Sequence, residues 1–316
     1  MLLKYKKMKT QMKKKNTEIT NLRKKKYKTL RPVSSGLESI LYSPLKALDK
    51  GFVRVVDYMG TDASVVQAAR VSYGKGTKKK SEDEGLIRYL LRHRHTTPFE
   101  MCEIKLHVKL PIFIARQWIR HRTASINEYS ARYSILEDEF YIPKKNHLAQ
   151  QSLINKQGRG NEVDEDTAKE ILKILKEDSA RCYENYTWML NEKNSKEYEK
   201  ERNSLSRELA RINLTLNTYT QWYWKVDLHN FMHFVSLRAD SHSQFEIREY
   251  GKILLKILSK WTPLTYKAFL SYRLKSAELS MEAIEIIRKM IAGKKVTKSK
   301  SNLSNREWKE LESLLF

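Results

Sequence analysis

The chain has 316 residues but little cysteine, little glycine and a shortage of acid. Its two cysteines, Cys102 and Cys182, form no CxxC pair. That excludes a zinc site built on cysteine and argues against a disulfide framework. A reducing, cytoplasmic setting is the expectation. The ten glycines give GxG at 74–76 and at 158–160, and neither extends to GxGxxG. P-loop and HExxH patterns are missing as well, so neither a Rossmann dinucleotide site nor a metal centre is signalled. No apolar run approaches the ~18–20 residues of a membrane helix. The N-terminus has the basic stretch of a secretory signal without the apolar stretch of about 7–15 residues that should follow it. With 41% hydrophobic residues and six Trp, the chain as a whole is not disordered.

What it has in excess is base. Lys plus Arg is 61 and Asp plus Glu is 37, a net charge of +24. Residues 1–31 hold 13 of those bases against one acid, Glu18, and so carry +12, half of the total. Such an arm reads either as a solvated, disordered extension or as a non-specific contact for RNA, DNA or an anionic surface. The expected division is a basic tail over 1–36, one domain over 37–290, and a linker with a C-terminal helix over 291–316.

Hydrophobic periodicity fills in the domain. Residues 51–59 mix β-branched and aromatic side chains and predict a strand. Asp62 opens a short helix to Arg70. Residues 74–80 predict a loop, and Ser81 with Glu84 predicts a capping box before Leu86, Ile87, Leu90 and Leu91 at helical spacing. Ile104, Leu106, Val108 and Leu110 alternate with Glu103, Lys105, His107 and Lys109, which predicts a strand with one apolar and one charged face. Pro111 suits the start of a helix running into Arg120. Residues 144–163 predict a polar loop, and helices are expected over 164–191, 199–216, 228–260 (one or two) and 262–272. Ser304 and Glu307 predict a second capping box, with Trp308, Leu311 and Leu315 on one helix face. The sum is an α+β (mixed α/β) fold, helix-rich with a modest, mostly antiparallel sheet.

Three polar clusters could carry chemistry. Arg120-His-Arg122 is followed by Asn127, Glu128, Ser130 and Arg132; guanidinium forks beside polar acceptors match a phosphate at one end of a ligand and hydrogen-bonding edges at the other. From spacing alone, a surface ion-pair cluster at a helix end explains them equally well. Arg238, Asp240, His242 and Gln244 lie within seven residues; they form either a buried, paired network or a solvated helix face. His93, His95 and Thr96-Thr-Pro-Phe-Glu100 read as a helix-to-strand loop.

Arg120-His-Arg, seven residues, then Ser130 resembles the RHRx7S signature of flavin-dependent thymidylate synthases. The resemblance continues in Asp49-Lys-Gly-Phe-Val53, Ala68-Ala-Arg-Val-Ser72, His95-Thr-Thr-Pro-Phe-Glu100, Ala115-Arg-Gln-Trp118, Phe140-Tyr-Ile-Pro143 and Leu237-Arg-Ala-Asp-Ser-His242, in family order over about residues 40–275. It implies a homotetramer with FAD at sites between subunits. It also implies reductive methylation of dUMP to dTMP, with methylenetetrahydrofolate as carbon donor, NADPH as reductant of the flavin and no cysteine nucleophile. Carried across, the dUMP residues would be Gln117, Arg120, Glu128, Ser130, Ala131, Arg132, Arg211 and Arg238, with Arg238 catalytic against the uracil edge. The FAD residues would be Ser72, His95, Thr97, Arg120, His121, Arg122, Glu128, Asp227, His229 and His233. No metal is implied. Ala131 stands where the family often has Gly, Asp227 where Asn is common, and His233 where Asn or His occurs. An acid at 227 puts its flavin contact in question.

A nucleic-acid-binding protein is the rival reading, from the pI of 9.8 and from Trp222, Tyr223 and Trp224 near bases. Those aromatics fit a helical core pattern better. Because the resemblance starts beyond the basic arm, deleting residues 1–36 is expected to leave turnover intact. A truncated chain that folds but makes no dTMP would contradict this.

Overall fold

The computed structural model describes residues 21–71, 80–152 and 158–316. Ser72, the loop expected at 74–79, and the side chain of Ser81 with its capping box lie outside the described residues. Of the basic arm, residues 21–33 are described and exposed, and among the described residues Leu37 is the first apolar side chain to be fully buried.

The chain forms two compact units, Met1–Phe269 and Leu270–Phe316. In the first, five strands make one antiparallel sheet: β1 (Pro44–Ala47), β2 (Gly51–Met59), β3 (Glu103–Pro111), β4 (Ser125–Glu128) and, much later, a long strand over Tyr219–Asp227. A separate hairpin, β5 (Ala149–Gln151) with β6 (Arg159–Glu162), occupies part of the segment expected to be loop. With the late strand as β7, the sheet order is β1-β2-β3-β7-β4. The nine-residue register of β3 on β7, from Glu103↔Asp227 to Pro111↔Tyr219, is its longest pairing.

The alternation predicted for β3 is present: Ile104, Leu106, Val108 and Leu110 are buried. The opposite face departs at Lys109, which is 7% exposed. Its ammonium is paired with Glu139 and, at 3.1 Å, with Glu137, so the buried charge is met by carboxylates that reach it from the surface. Trp222, Tyr223 and Trp224 stand on β7, not on a helix. Trp222 and Trp224 face the core while Tyr223 points outward, the period of two that a strand imposes.

Helices cover the Trp face of the sheet. In chain order the longer ones of this unit are α1 (Asp62–Val71), α2 (Lys80–Arg92), α3 (Ile112–Trp118), α4 (Glu165–Leu190), α5 (Leu228–Arg238), α6 (Phe245–Trp261) and α7 (Pro263–Phe269). Trp118 at the end of α3 is fully buried. It meets Trp222 and Trp224 of β7 edge-on, with centroids 5.9 and 5.2 Å away, Phe234 of α5 at 4.4 Å and Tyr250 of α6 at 5.9 Å. Edge-to-face rings at these distances gain quadrupole energy beyond their buried area. The helix α4 begins at Asp164, whose side chain accepts from Thr167 N–H, and ends at Asn191 in the left-handed conformation.

The helix expected over 199–216 does not form; only Arg207–Ala210 makes a helical turn, with a 3₁₀ turn after it. The reason is local. The Asn191 side chain donates to the carbonyls of Glu199, at 2.8 Å, and Arg202, and accepts from Glu199 N–H at 2.9 Å, tying residues 191–202 into a loop. Such side-chain-to-backbone bonds compete with helix formation.

The second unit holds α8 (Met281–Ile291) and α9 (Asn305–Leu315). The capping box at Ser304 and Glu307 is formed on both sides. Trp308 and Leu311 are buried with Ala283 and Ile286, so α8 and α9 share a core and the compact unit begins before residue 291. Leu315, in the last turn, is exposed.

At Gly51 the sheet and a side chain of α6 approach closely. A Cβ there would lie 2.1 Å from Tyr250 Oη and 2.9 Å from the carbonyls of Ala47 and Lys109. Tyr250 donates from that hydroxyl to Lys109 O at 2.7 Å. Gly51→Ala is expected to lower stability by about 2 kcal/mol or more, the cost of overpacking a tight core. Adding Tyr250→Phe should recover part of the loss, as read from urea midpoints; a Gly51→Ala chain as stable as wild type would refute the close approach.

Candidate active site

The helix α3 carries Gln117 on its last turn and runs into Ile119 and Arg120. His121 N–H closes onto Trp118 O at 3.0 Å, so the buried Trp fixes where the Arg-His-Arg triplet leaves the core. Arg120 and Arg122 are exposed, and neither guanidinium is ion-paired among the described residues. His121 turns inward. Its ring lies 5.7 Å from that of His233 and 4.6 Å from Phe234, both on α5.

Arg238 ends α5 and donates from Nε to His121 Nε2 at 3.1 Å. An imidazole that accepts at Nε2 is neutral, with its proton on Nδ1. Burial, then the charge of Arg238, then His233 push the His121 pKa from 6.5 down to about 4. Burial also lowers the Arg238 pKa. One feature of the neighbouring helix lets Arg238 sit there: a Cβ on Gly251 of α6 would come within 2.7 Å of the Arg238 carbonyl.

On the other side of the triplet, β4 aligns on β7 with Glu128 opposite Trp222, and Glu128 accepts from Thr220 Oγ1 at 2.7 Å. A tight turn follows. Tyr133 N–H and Ser134 N–H both reach Ser130 O, and Arg132 N–H reaches Ser130 Oγ at 3.2 Å. Ser130 thus uses its hydroxyl as an acceptor inside its own turn, with Ala131 buried between it and Arg132. Arg132 Nε lies 3.6 Å from the Glu208 carboxylate, and Arg211 Nε donates to the Glu208 carbonyl at 3.3 Å. Glu208 therefore brings Arg132 and Arg211 to one place, a residue that the sequence reading missed.

The predicted residues fall into three groups. His121, His233 and Arg238 are in direct contact; Ser130, Ala131, Arg132 and Arg211 gather around the β4 turn; Gln117 donates to Gln244, and Arg120 and Arg122 stand exposed beside it on the chain. Asp227 caps α5: its side chain accepts from Asn230 N–H at 2.9 Å and from the Asn230 side-chain amide at 2.7 Å. Its carboxylate is committed to a helix N-terminus, a role that suits an acid. His229 is half-buried on the first turn of α5. His95 and Thr97 are exposed, with His95 5.9 Å from the Tyr89 ring, and no hydrogen bond among the described residues joins them to the other groups. Asp240 and His242 pair with each other on an exposed turn. No cluster of three or more metal-ligating side chains occurs among the described residues.

The Cys102 thiol is not activated: it is fully buried, and its pKa is pushed up to about 12 by burial and by Asp62.

Comparison with known proteins decides the family. Residues 54–264 match the Thymidylate synthase complementing protein model. The chain is 57% identical over 298 residues to a flavin-dependent thymidylate synthase of Gluconobacter oxydans (strain 621H), covering 94% of this chain and 96% of that protein. It is 58% identical over 287 residues to one of Wolbachia pipientis wMel, covering 91% and 97%. The chain belongs to the flavin-dependent thymidylate synthase family. As a member it is an enzyme, and FAD is its cofactor. A solved UMP/dUMP methylase, PolB of Streptomyces cacaoi bound with 5-Br dUMP, superposes with a TM-score of 0.62 at 30% identity, over 73% of this chain and 99% of that one. The α+β architecture is that of this neighbour.

The residues present fit FAD by their chemistry. Two guanidinium groups, at 120 and 122, without an ion-pair partner among the described residues, offer forks for a pyrophosphate. The neutral imidazole of His121 and the exposed ring of His233 offer flat faces and ring nitrogens to an isoalloxazine.

The depressed His121 pKa has a pH signature. Between pH 6.5 and about 4 the unfolded chain takes a proton at this imidazole that the folded chain refuses, so folding stability falls as pH falls through that window. His121→Gln, which keeps an acceptor for Arg238, is expected to flatten that part of the stability profile. Superimposable profiles would show that His121 is not held neutral.

Proposed function

We propose that this chain makes dTMP from dUMP with the residues assembled around the α3–α5 junction and the β4 turn. Methylenetetrahydrofolate is the carbon donor and NADPH the reductant. In this reading Arg132 and Arg211 take the phosphate, helped by the backbone of Ser130–Arg132. Arg120 bridges toward the cofactor, and Gln117 and Glu128 orient the nucleoside. His95, Thr97, His121, Arg122, His229 and His233 line the flavin; Asp227 supports that wall by holding α5 at its start. FAD supplies the hydride; the protein supplies orientation and charge.

The chemistry rests on Arg238. Uracil loses its ring proton with a pKa of about 9–10, by analogy with a phenol. A guanidinium at hydrogen-bond range stabilises the anionic ring and so makes the adjacent carbon a better nucleophile. Because Nε of Arg238 is spent on His121, its two terminal nitrogens remain for the uracil edge. A guanidinium that is half-buried beside a neutral ring keeps its charge effective, since little water screens it. No thiol adds to the pyrimidine, in keeping with the raised pKa of Cys102.

A site shared between copies of the chain is supported by what surrounds it. Arg120, Arg122, Arg132 and His233 are exposed, and so are Ile119, Tyr129, Tyr133 and Leu237 close to them in sequence and Leu209 and Ile212 beside Arg211. Apolar side chains exposed beside cations suit a homotetramer whose subunit junctions hold the nucleotide and the flavin. No described helix is long and apolar enough to cross a membrane.

The contact that carries this reading is the Arg238–His121 hydrogen bond. Arg238→Ala is expected to cut dTMP formation by at least roughly 10²–10³, the value of one well-placed donor to a developing anion. The purified variant should stay yellow, with FAD bound. Wild-type turnover in Arg238→Ala would refute the assignment, and a colourless wild-type protein that shifts RNA would favour the nucleic-acid reading.

A further inference from the structure

Glu246 lies in the first turn of α6 and is only 3% exposed, yet three side chains reach its carboxylate. Arg159 Nη2, from β6, is 2.6 Å from both oxygens. Tyr141 Oη donates to Oε1 at 3.3 Å, and Gln244 Nε2 donates to Oε2 at 2.9 Å. Beyond them, Gln244 Oε1 accepts from Gln117 Nε2.

These bonds have a direction. A carboxylate that takes Arg159 offers only lone pairs, so Gln244 must turn its NH₂ group toward Glu246. Its carbonyl then faces Gln117, which must answer with its own NH₂. Gln117 is left with its carbonyl oxygen as the end turned away from Gln244. An amide with nothing to fix it presents either end, and the wrong end would meet a ligand donor with another donor.

We propose that Glu246, acting through Gln244, is a positioning residue that fixes the Gln117 amide with its carbonyl toward the nucleotide, so that the site selects a hydrogen-bond donor on the ligand. The donor is an N–H or O–H of the nucleotide, either the pyrimidine N3–H or the sugar 3′-OH. This rests on the reading of Gln117 as a nucleotide contact. Arg159 explains why the charge sits there: its guanidinium holds the carboxylate, donates to His147 O at 3.0 Å and lies 5.6 Å from the Phe245 ring centroid, so the β5–β6 hairpin locks the first member of the relay.

The test uses the FAD-loaded enzyme and measures KM for dUMP, kcat and bound FAD. Gln117→Ala is the control: unchanged dUMP affinity there would overturn the reading of the site itself. With that control weakened, Gln244→Met, which cannot pass on the orientation, is expected to raise the dUMP KM about tenfold while moving kcat and FAD content little. Gln244→Glu sets a second carboxylate against Glu246 and should do the same or worse. The exchanged pair Glu246→Gln with Gln244→Glu keeps the direction of every bond toward Gln117 and is expected to bring KM back to within about threefold of wild type. A merely structural role for Glu246 predicts no such recovery. Wild-type KM in Gln244→Met, or an exchanged pair that retains FAD but binds dUMP as weakly as the single variants, would overturn the relay. N3-methyl-dUMP and 2′,3′-dideoxy-UMP separate the two donors. One of them should bind wild type weakly and lose that handicap in Gln117→Ala; two analogues that bind wild type as dUMP does would also overturn it.

Discussion

The burial of Trp118 is the constraint on which the site depends. Gln117 precedes it, Arg120 and His121 follow within a single turn, and none of them could be held in place by a surface helix of seven residues. The indole is wedged between two tryptophans of β7 and the aromatic faces of α5 and α6, so the end of α3 is fixed from three directions. The same contacts order the partners. Phe234 touches both Trp118 and His121, one turn before Arg238 on the same helix. The apolar core thus determines which polar groups can meet, and the polar groups then settle their own protonation. His121 is neutral because it is buried next to a cation, and that neutrality gives Arg238 an acceptor.

Charge in this molecule is partitioned by how it is used. Where a charge is buried for architecture it meets a countercharge at the surface: Lys109 with Glu137 and Glu139, Glu246 with Arg159. Arg120 and Arg122, proposed to face an anionic ligand, have no countercharge among the described residues. Glu208 stands between the two cases. Its contact to Arg132 is long and exposed, the kind of pair that costs little to exchange for a phosphate.

The sequence announced those features whose signal is local. The alternation over 103–110, the Ser304 cap and the Arg-His-Arg-to-Ser130 spacing each need only neighbouring residues to be recognised. The aromatic trio at 222–224 misled because three consecutive aromatic residues show no period of their own; pairing with β3 and β4 makes them a strand. The helix expected at 199–216 failed because Asn191, well upstream, captures the backbone of that segment. Asp227 looked out of place for a flavin contact and is explained as the cap of α5. Glu208, Glu246 and Arg159 were illegible for one reason: their partners are distant in sequence, and a single chain gives no sign of which remote charges will meet.

Gly251 has a consequence for how this enzyme can vary. Every other side chain begins with the one carbon that the Arg238 carbonyl forbids, so substitution there displaces the end of α5 whatever its polarity or size. The guanidinium proposed to face the uracil is thus hostage to a residue that bears no functional group. A survey of tolerated changes would find position 251 as unforgiving as 238 itself, and chemistry alone would never say why.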